Sequence, residues 1–573
     1  MNATRKQARN IRALAVWGVL AALVWGGTGR AGVAELLPAS TRQVLSVPDA
    51  ARFRQAWDRT GYAKMFASEG LKELVEESSR AGVDGLGLGL KQAEVREAAG
   101  GEVAWAQVEI GPRHRARVFV VETAGKKADR LVEKITATLE KASYRIERGL
   151  VTTATGPGGA QRLFAVRGGA LLCTDHAATL EAMLKPGAET LATKKAYQAA
   201  RRDSGADEKD GPDVFLYLEP FALAQLNQRE GKEGADALRT ARDQGLEGVE
   251  AVGVNLRFGR GAADLTYRLA VYAPPPRKKA LQLLQLQAGK EFEPPAWVPA
   301  DAALAGVLYL DVDGAFRQMG PLFDAVYAPK DRGTFDEIIK RLRDDPNGPQ
   351  VDIPRELVGR LGKRVVLVSR SPKAGGDEQT LLAFEAREVE QLERALGRLY
   401  ENDEEAKRRQ VRDYVVWVVQ MRQSGRGGTK GKSRTVEVCL CAARGHLFVC
   451  THLPLLEAAL KASKSGLAGE ADYQRVVGEL NRAVPTGSAL RWYARPDLDL
   501  RPAYEAFRQG EKAEGASVYA TLLRPVFDNL NRATREKAPP FEKLRPYLGP
   551  AGMWGQTTPT GWVIQGFSLR RGG

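Results

Sequence analysis

Two stretches of this chain, FAVRGGALLCTDHAATLEAMLK (residues 164–185) and CAARGHLFVCTHLPLLEAALK (residues 441–461), carry Arg-Gly, Cys-Thr and Leu-Glu-Ala in the same order. In each, a glycine-containing turn joins two β-rich runs and a helical pattern follows. Each therefore predicts a strand–turn–strand–helix unit. The alignment places a one-residue deletion in the second stretch. A recurrence of this kind indicates an internal duplication.

The similarity continues on both sides of these units. VLSVPDAARFRQAW (44–57) resembles VLYLDVDGAFRQMG (307–320), and VFLYLEP (214–220) resembles ALRWYARP (489–496). Helical patterns between hairpin patterns are typical of α+β folds with antiparallel sheets. The sequence therefore predicts an α+β fold with two tandem copies of one module, each an antiparallel sheet covered by helices on one face. The clearest predicted hairpins, each with its following helix, are Glu102–Ile110 with Arg115–Val121 and Ala128–Lys141, and Arg364–Ser369 with Thr380–Phe384 and Val389–Tyr400.

The predicted organisation has four parts. Residues 1–34 form a signal peptide or N-terminal membrane anchor, 35–272 the first module, 273–297 a Pro-rich linker and 298–573 the second module. The linker is placed on the proline-containing runs APPPRKK and EFEPPAW, because proline interrupts regular structure. A chain of 573 residues also exceeds what one hydrophobic core usually holds, which favours two domains.

The N-terminus is typical of an export signal. Residues 1–12 contain four basic residues and no acid, and ALAVWGVLAALVWGG (13–27) is an unbroken apolar run. A basic flank before such a run directs a chain across the cytoplasmic membrane. The run is shorter than the roughly 20 residues of a spanning helix, which favours cleavage; an uncleaved anchor is the alternative. We expect a protein of the periplasm or cell envelope, either free after cleavage or anchored by this segment.

The chain is basic, with 85 Lys and Arg against 70 Asp and Glu and a formal net charge of +15. The first 34 residues carry five basic residues and no acid, which leaves +10 for the exported part. The densest basic cluster is RQSGRGGTKGKSR (422–434), a composition typical of a solvated loop. Because no aromatic residues are interleaved with these cations and no recognition motif accompanies them, we expect no nucleic-acid partner.

Three of the four cysteines lie in CLCAARGHLFVCTH (439–452). The β-rich runs on both sides of Arg444-Gly445 predict a hairpin with a two-residue turn. That turn would place Cys439 opposite Cys450 and Cys441 opposite Phe448. Opposed cysteines in an oxidising compartment make Cys439–Cys450 a candidate disulfide.

Three interpretations of this hairpin compete. Alternation along the strands places three sulfurs and an imidazole on one face, which is a zinc-type ligand set: Cys439, Cys441, Cys450 and His452. The spacing lacks the C-x-x-C of strong zinc motifs. In the alignment of the two copies, Phe164 replaces Cys441 and Cys173 replaces Cys450, so apolar packing is favoured. A disulfide is the second interpretation and a metal site the third.

One motif resembles a catalytic site. VLYLDVDGAF (307–316) is similar to the first motif of haloacid-dehalogenase-type phosphatases, which implies Asp311 as nucleophile and Asp313 as acid and base. That family usually has Thr or Val where this chain has Ala315, and the first copy has VPDAA in place of the two aspartates. We therefore interpret Asp313 and Asp49 as helix caps.

Two glycine-rich stretches resemble nucleotide-binding loops less closely. GRGGTKGKS (425–433) is one glycine short of a phosphate-binding loop and is followed by a strand pattern instead of a helix. GLGLGL (85–90) lacks the spacing of a dinucleotide-binding loop and is interpreted as a flexible or extended connection. Neither predicts a nucleotide site.

The opening LLPASTRQVLSVPDAARFRQAWDRTGYAKMF (36–66) and the unit GGALLCTDHAATLEAMLK (168–185) are similar to a bacterial family of exported or membrane-anchored proteins, defined as a domain of unknown function. In that family an N-terminal apolar segment precedes a Leu-Pro-Ala start and repeated strand–turn–strand–helix units. The resemblance covers most of the exported chain through loose motifs. It implies a location and an architecture, and it carries over no catalytic residue.

The sequence therefore predicts an exported envelope protein with a binding or structural, noncatalytic role. A ligand or partner is expected between the two repeat lobes, because ligand sites favour domain interfaces. The expected partners are other envelope proteins or an unidentified ligand, and the membrane if the N-terminal segment is uncleaved. No catalytic residue and no cofactor are assigned. The alternatives are an extracytoplasmic hydrolase with a site in one lobe and a carrier of lipid or another apolar ligand.

Overall fold

The computed structural model describes residues 32–68, 71–72, 84–124, 127–185, 189–228, 232–284, 286–329, 331–371, 378–423, 434–462, 466–510 and 538–571. The predicted signal or anchor segment therefore lies outside the described residues, except for its last three positions. None of the helices in the described part of the chain is long and apolar enough to span a bilayer.

The described residues form helices and antiparallel strands, which confirms the predicted α+β class. The strands, numbered in chain order, are β1 Thr41–Val47, β2 Ala99–Gly111, β3 His114–Thr123, β4 Arg145–Glu147, β5 Thr152–Thr155, β6 Gln161–Arg167, β7 Ala170–Thr174, β8 Val214–Leu218, β9 Ala251–Arg260, β10 Ala263–Tyr272, β11 Leu304–Tyr309, β12 Leu361–Arg370, β13 Gln379–Ala386, β14 Ala406–Val411, β15 Tyr414–Gln423, β16 Arg434–Ala443, β17 His446–Cys450, β18 Leu490–Ala494, β19 Ala551–Thr558 and β20 Gly561–Leu569.

The helices are numbered in the same way. They are α1 Val33–Leu36, α2 Ala50–Asp58, α3 Gly61–Ala67, α4 Gln92–Ala98, α5 Lys127–Lys141, α6 Ala177–Leu184, α7 Lys195–Asp203, α8 Pro220–Leu226, α9 Lys232–Asp243, α10 Val312–Tyr327, α11 Thr334–Asp344, α12 Val389–Tyr400, α13 Leu453–Lys461, α14 Ala471–Ala483, α15 Pro496–Gln509 and α16 Phe541–Leu544. Both predicted hairpins and their following helices are confirmed, with strands a few residues longer than expected.

All these strands join one antiparallel sheet. Its order is β4-β5-β6-β7-β3-β2-β1-β8-β9-β10-β20-β19-β18-β11-β12-β13-β17-β16-β15-β14. We call β1–β10 with α1–α9 the first half and β11–β20 with α10–α16 the second half. Within each half the strands follow the same pairing order, and β10 pairs with β20 at the centre.

In each half four strands lie between two helices, β4–β7 between α5 and α6 and β14–β17 between α12 and α13. The first of these strands, β4 and β14, occupy the two ends of the sheet. β4 has three residues and β14 presents four successive exposed residues, Lys407–Gln410. Short or charged end strands limit pairing with other chains.

Helices cover both faces of the sheet, so the prediction of one covered face is wrong. On β3, Phe119 and Val121 pack with α2 and α5, whereas the neighbouring Val118 and Val120 pack with α6 and α7 on the opposite face. In the second half, α13 and α14 cover one face and α12 the other. A strand covered on both faces is apolar at successive positions instead of alternate ones, and the continuous burial from Val118 to Val121 follows from this arrangement.

Beyond the β10–β20 ladder, a buried carboxylate links the two halves. Asp264 is 1 % exposed and accepts hydrogen bonds from the Gly61 backbone N–H at 3.0 Å and from Arg570 Nε at 3.1 Å. Arg570 directly follows β20, so a charged group of the second half pairs with β10 of the first. A buried carboxylate loses its hydrogen bonds to water, and this cost is offset only if protein groups replace them. The Gly61 N–H and the Arg570 guanidinium do so for Asp264.

Candidate functional site

A cavity of about 310 Å³ lies in the second half between β11, β18, α14 and residues 290–294, which we call the strap. Its apolar walls are formed by Ala305, Val307, Val477 and Leu480, among others. Polar side chains of β18 and α14 also line it, namely Tyr473, Asn481, Arg491 and Tyr493. The charged residues of the strap, Lys290, Glu291 and Glu293, are exposed at its edge.

The strap is held against the sheet by polar contacts where β11 ends and the neighbouring antiparallel strand β18 begins. The Tyr309 hydroxyl donates to the Glu291 carbonyl at 2.8 Å and accepts the Glu291 N–H at 3.0 Å. The Gly289 N–H donates to the Ser488 carbonyl at 2.9 Å. The Phe292 ring meets the Tyr309 ring edge-on, with 5.4 Å between centroids. The predicted linker therefore forms one wall of the cavity.

Two tyrosines occupy the inner part of this region. The Tyr473 and Tyr493 rings pack edge-on with centroids 5.3 Å apart. Burial raises the pKa of Tyr473 to about 12, an effect that the charge of Glu293 increases and that of Arg491 opposes. Burial also raises the pKa of Tyr493 above its ordinary value. Both phenols therefore stay protonated at neutral pH and can donate hydrogen bonds.

Arg491 brings a positive charge into this apolar surrounding. Its guanidinium stacks over the Phe292 ring, 4.6 Å from the centroid. Its Nη1 donates to Asn481 Oδ1 at 3.2 Å, and its Nε finds no hydrogen-bond partner within the part of the chain that the structure describes. Burial lowers the pKa of Arg491, although a guanidinium with an ordinary pKa above 12 remains charged at neutral pH.

The hydroxyl of Tyr493 has no hydrogen-bond partner among the described residues. In the first half the corresponding Tyr217 hydroxyl donates to Glu219 Oε1 at 2.8 Å. The second half has Arg495 in the place of Glu219, and this guanidinium pairs with Asp497 at 3.0 Å. A guanidinium has no acceptor atom, so Arg495 cannot accept a hydrogen bond from the Tyr493 hydroxyl as Glu219 does from that of Tyr217.

The cysteine hairpin has the predicted register. Cys439 pairs with Cys450 and Cys441 with Phe448 across β16 and β17. Arg444 and Gly445 form the turn with φ of 50° and 74°, the two positive values that a type I′ turn requires. The Arg444 guanidinium donates to the carbonyls of Ala459 and Ala462 at the end of α13, which offsets the left-handed backbone of a non-glycine residue.

The sulfurs belong to the hydrophobic core. Cys439, Cys441 and Cys450 are at most 1 % exposed and pack in one apolar cluster with Phe448. His452 Nδ1 lies 2.8 Å from the Thr451 hydroxyl, at the start of α13. No group of three or more His, Cys, Asp or Glu residues in the described part of the chain could hold a metal ion. All four cysteines are free thiols in the structure, and the Cys439–Cys450 disulfide stays a prediction.

The alignment of Cys450 with Cys173 is wrong. The first hairpin turns at Gly168-Gly169 and the second at Arg444-Gly445. Matching these turns aligns the two hairpins and their helices without a gap, and it places Thr174 at the position of Cys450. Cys173 instead packs on the opposite face of the sheet, in the core cluster that contains α5. Apolar packing of the cysteines does not depend on the alignment, because each of them is buried.

The aspartates of the phosphatase-like motif have structural contacts. Asp311, and not the predicted Asp313, caps α10 by accepting the Gly314 N–H at 3.1 Å. Asp313 forms an ion pair with Arg317 one turn later at 2.5 Å. Asp49 caps α2 as predicted, accepting the N–H groups of residues 51 and 52.

GLGLGL is a packed turn and not an extended connection. Asp84 Oδ1 accepts the N–H groups of Leu86 and Leu88 at 2.8 and 3.0 Å, and Oδ2 accepts that of Leu90 at 3.2 Å. Gly85, Gly87 and Gly89 all have positive φ, which turns successive N–H groups toward one carboxylate. The three leucines are at most 1 % exposed. The phosphate-loop-like residues 425–433 lie outside the described residues.

Sequence reasoning missed the cavity and its residues. A signal was present, since the similarity of ALRWYARP to VFLYLEP places Arg491 where the first half has Phe215. A charged residue at a position that is apolar in the other half marks a difference between the two halves. The cavity also depends on Phe292 and Glu291 of the linker, whose placement no strand or helix pattern predicts.

No protein family, curated protein or solved structure matches this chain in the comparisons made with known sequences and folds.

Proposed function

We propose that this chain is an exported, noncatalytic binding protein of the bacterial cell envelope that holds a small ligand in the cavity under the strap. The observation that carries the proposal is the cavity itself. It combines apolar walls with a few polar side chains, the usual composition of a small-molecule site, and its volume lies near the lower end of the roughly 300–1,000 Å³ that such sites have.

We further propose that the two halves arose by duplication of one module, with 35–272 and 298–573 as the copies. Three features support this. The strand pairing order recurs from β1–β10 to β11–β20. The paired tyrosines recur, with Tyr197 and Tyr217 at 5.1 Å and 77° and Tyr473 and Tyr493 at 5.3 Å and 77°. The turn-matched hairpins recur in sequence. A duplicated module allows one copy to keep a packed interior while the other acquires a site.

This proposal places the ligand within the second half, whereas the sequence led us to expect it between two lobes. The location of the cavity supports this change, because its walls are formed by the strap and by β11, β18 and α14 of the second half. The basic and apolar residues of the N-terminal segment support export. Other envelope proteins, and the membrane if residues 1–34 are retained, remain the proposed surroundings.

Native mass spectrometry of the protein purified from its own envelope fraction tests these proposals. We expect a bound small molecule in the native spectrum, and a denatured mass that begins after position 31 or 34 if the leader is cleaved. Val477→Trp provides the decisive variant, because a large side chain at this wall fills the cavity. The Val477→Trp protein should lose the bound molecule and keep its fold. A molecule retained equally by both proteins, or by neither, would contradict a cavity site.

A further inference from the structure

The cavity contains a half-buried cation, Arg491, without a counter-ion among the described residues. Among the described residues Arg491 forms no ion pair, and its polar contact is the neutral Asn481 amide. Its guanidinium is partly removed from water between Phe292 and the cavity. Removing a charge from water is costly unless an opposite charge compensates it. An anionic group in the cavity would supply that compensation.

In the first half the position that corresponds to Arg491 holds an apolar residue, Phe215. Phe215 of β8 pairs with Ser46 of β1. Arg491 of β18 pairs in the same way with Val307 of β11. The Arg201 guanidinium stacks over Phe215 at 5.3 Å and pairs with Asp207. The charge in the first half is therefore neutralised within the protein, in contrast to that of the second half.

The strap limits the charge that the ligand can carry. Glu291 and Glu293 lie at the edge of the cavity beside Lys290. Because these two carboxylates repel a multiply charged anion, one negative charge fits better than two. The apolar walls, which include Val307 and Leu480, require an apolar body next to that charge.

We propose that the cavity binds a small amphiphilic monocarboxylate, with the carboxylate on Arg491 and the apolar body against β11 and α14. This inference rests on the proposed binding function and names its ligand class. A carboxylate matches the guanidinium in charge and in the arrangement of acceptors, and it gives hydrogen bonds stronger than those of a neutral amide. The protonated Tyr473 hydroxyl lines the same space as a second donor.

The test uses 4-phenylbutyrate, its neutral amide 4-phenylbutanamide and the cationic 4-phenylbutylamine, with binding to the full chain measured by isothermal titration calorimetry. We expect 4-phenylbutyrate to bind at least tenfold more tightly than the other two, a difference of about 1.4 kcal/mol, since a charge-assisted hydrogen bond is stronger than a neutral one. Arg491→Met should weaken that binding at least tenfold. Arg482→Met, which removes a guanidinium that is 76 % exposed on α14 and pairs with Glu479, should change it less than twofold.

The remaining outcomes separate the two proposals. Binding of the amide or the amine as tightly as the carboxylate overturns the ligand class, and leaves the cavity function intact if Val477→Trp abolishes that binding. Binding of 4-phenylbutyrate that is unchanged in Arg491→Met also overturns the ligand class. If none of the three compounds binds, both proposals fail for small amphiphiles. Circular dichroism and the urea midpoint of each variant establish that the variants are folded.

Discussion

The two equivalent tyrosines provide a matched pair of substitutions. Tyr217→Phe removes a hydroxyl that donates to Glu219, whereas Tyr493→Phe removes a hydroxyl without a partner in the described ranges of the chain. Both tyrosines are at most 2 % exposed, so each change deletes one oxygen atom from a buried site. Any difference between the variants therefore reports the hydrogen bond and not the change in size.

The expected magnitudes follow from the partners. A hydrogen bond to a charged group contributes about 1.5–3 kcal/mol. Glu219 keeps Arg42, whose Nη1 lies 2.7 Å from its Oε2, and Lys194, so it remains paired when Tyr217 is changed. We therefore expect Tyr217→Phe to lower the free energy of unfolding by about 1.5 kcal/mol. Tyr493→Phe should leave it unchanged or raise it by up to about 1 kcal/mol, because a buried unpaired hydroxyl is unfavourable.

Urea unfolding followed by circular dichroism measures both effects, and an unchanged dependence on urea concentration shows that the unfolded states are comparable. The two free energies should differ by about 2 kcal/mol, with Tyr493→Phe the more stable. Equal losses in the two variants would refute the reasoning, since they would mean that Tyr493 has a partner or that Glu219 contributes nothing to Tyr217. Unfolding should be recorded without added ligand, because ligand binding stabilises the folded chain.

Three further outcomes are expected. Burial raises the pKa of Cys441 to about 12 and that of Cys450 to about 11. A thiol reagent at pH 8 should therefore label none of the four cysteines in the folded chain and all four in urea. Two labelled thiols in urea would instead show one disulfide, and loss of that protection in Cys439→Ser would assign it to the opposed pair Cys439 and Cys450. Burial also raises the pKa of Glu102 despite its hydrogen bonds, and such a group destabilises the folded chain when it is ionised. Glu102→Gln should therefore stabilise by about 1 kcal/mol at pH 7, and the gain should disappear as the pH falls toward the ordinary pKa of the carboxyl; a gain that grows at low pH would contradict this sign. Asp84→Ala should lower the free energy of unfolding by about 3 kcal/mol or more, because three buried N–H groups lose their acceptor. Asp84→Asn, which keeps one oxygen acceptor, should lower it less. Equal urea midpoints for the two variants and the unchanged protein would contradict the role of this carboxylate.

Local patterns predicted much of the fold. The register of the cysteine hairpin followed from a two-residue turn, because side chains alternate strictly along a strand. Helix Val389–Tyr400 was predicted to the residue, since its apolar positions repeat at helical spacing. The failed predictions have two different causes. The face on which a helix packs is set by its contacts with other elements, and α5 and α6 lie on opposite faces although each follows a strand of the same half. The alignment of the hairpins was a local error, because the turns at Gly168-Gly169 and Arg444-Gly445 match without a gap.

The sequence by itself determined the α+β class, the recurring strand–turn–strand–helix unit and the predominantly apolar setting of the cysteines, because turn residues and apolar periodicity act over a few neighbouring positions. The tertiary structure alone decided that the strands of both halves join one sheet through β10 and β20. It alone decided that the linker closes a cavity over Arg491. Both features bring together residues far apart in the chain, and their pairing depends on the packing of whole elements, which no local pattern encodes.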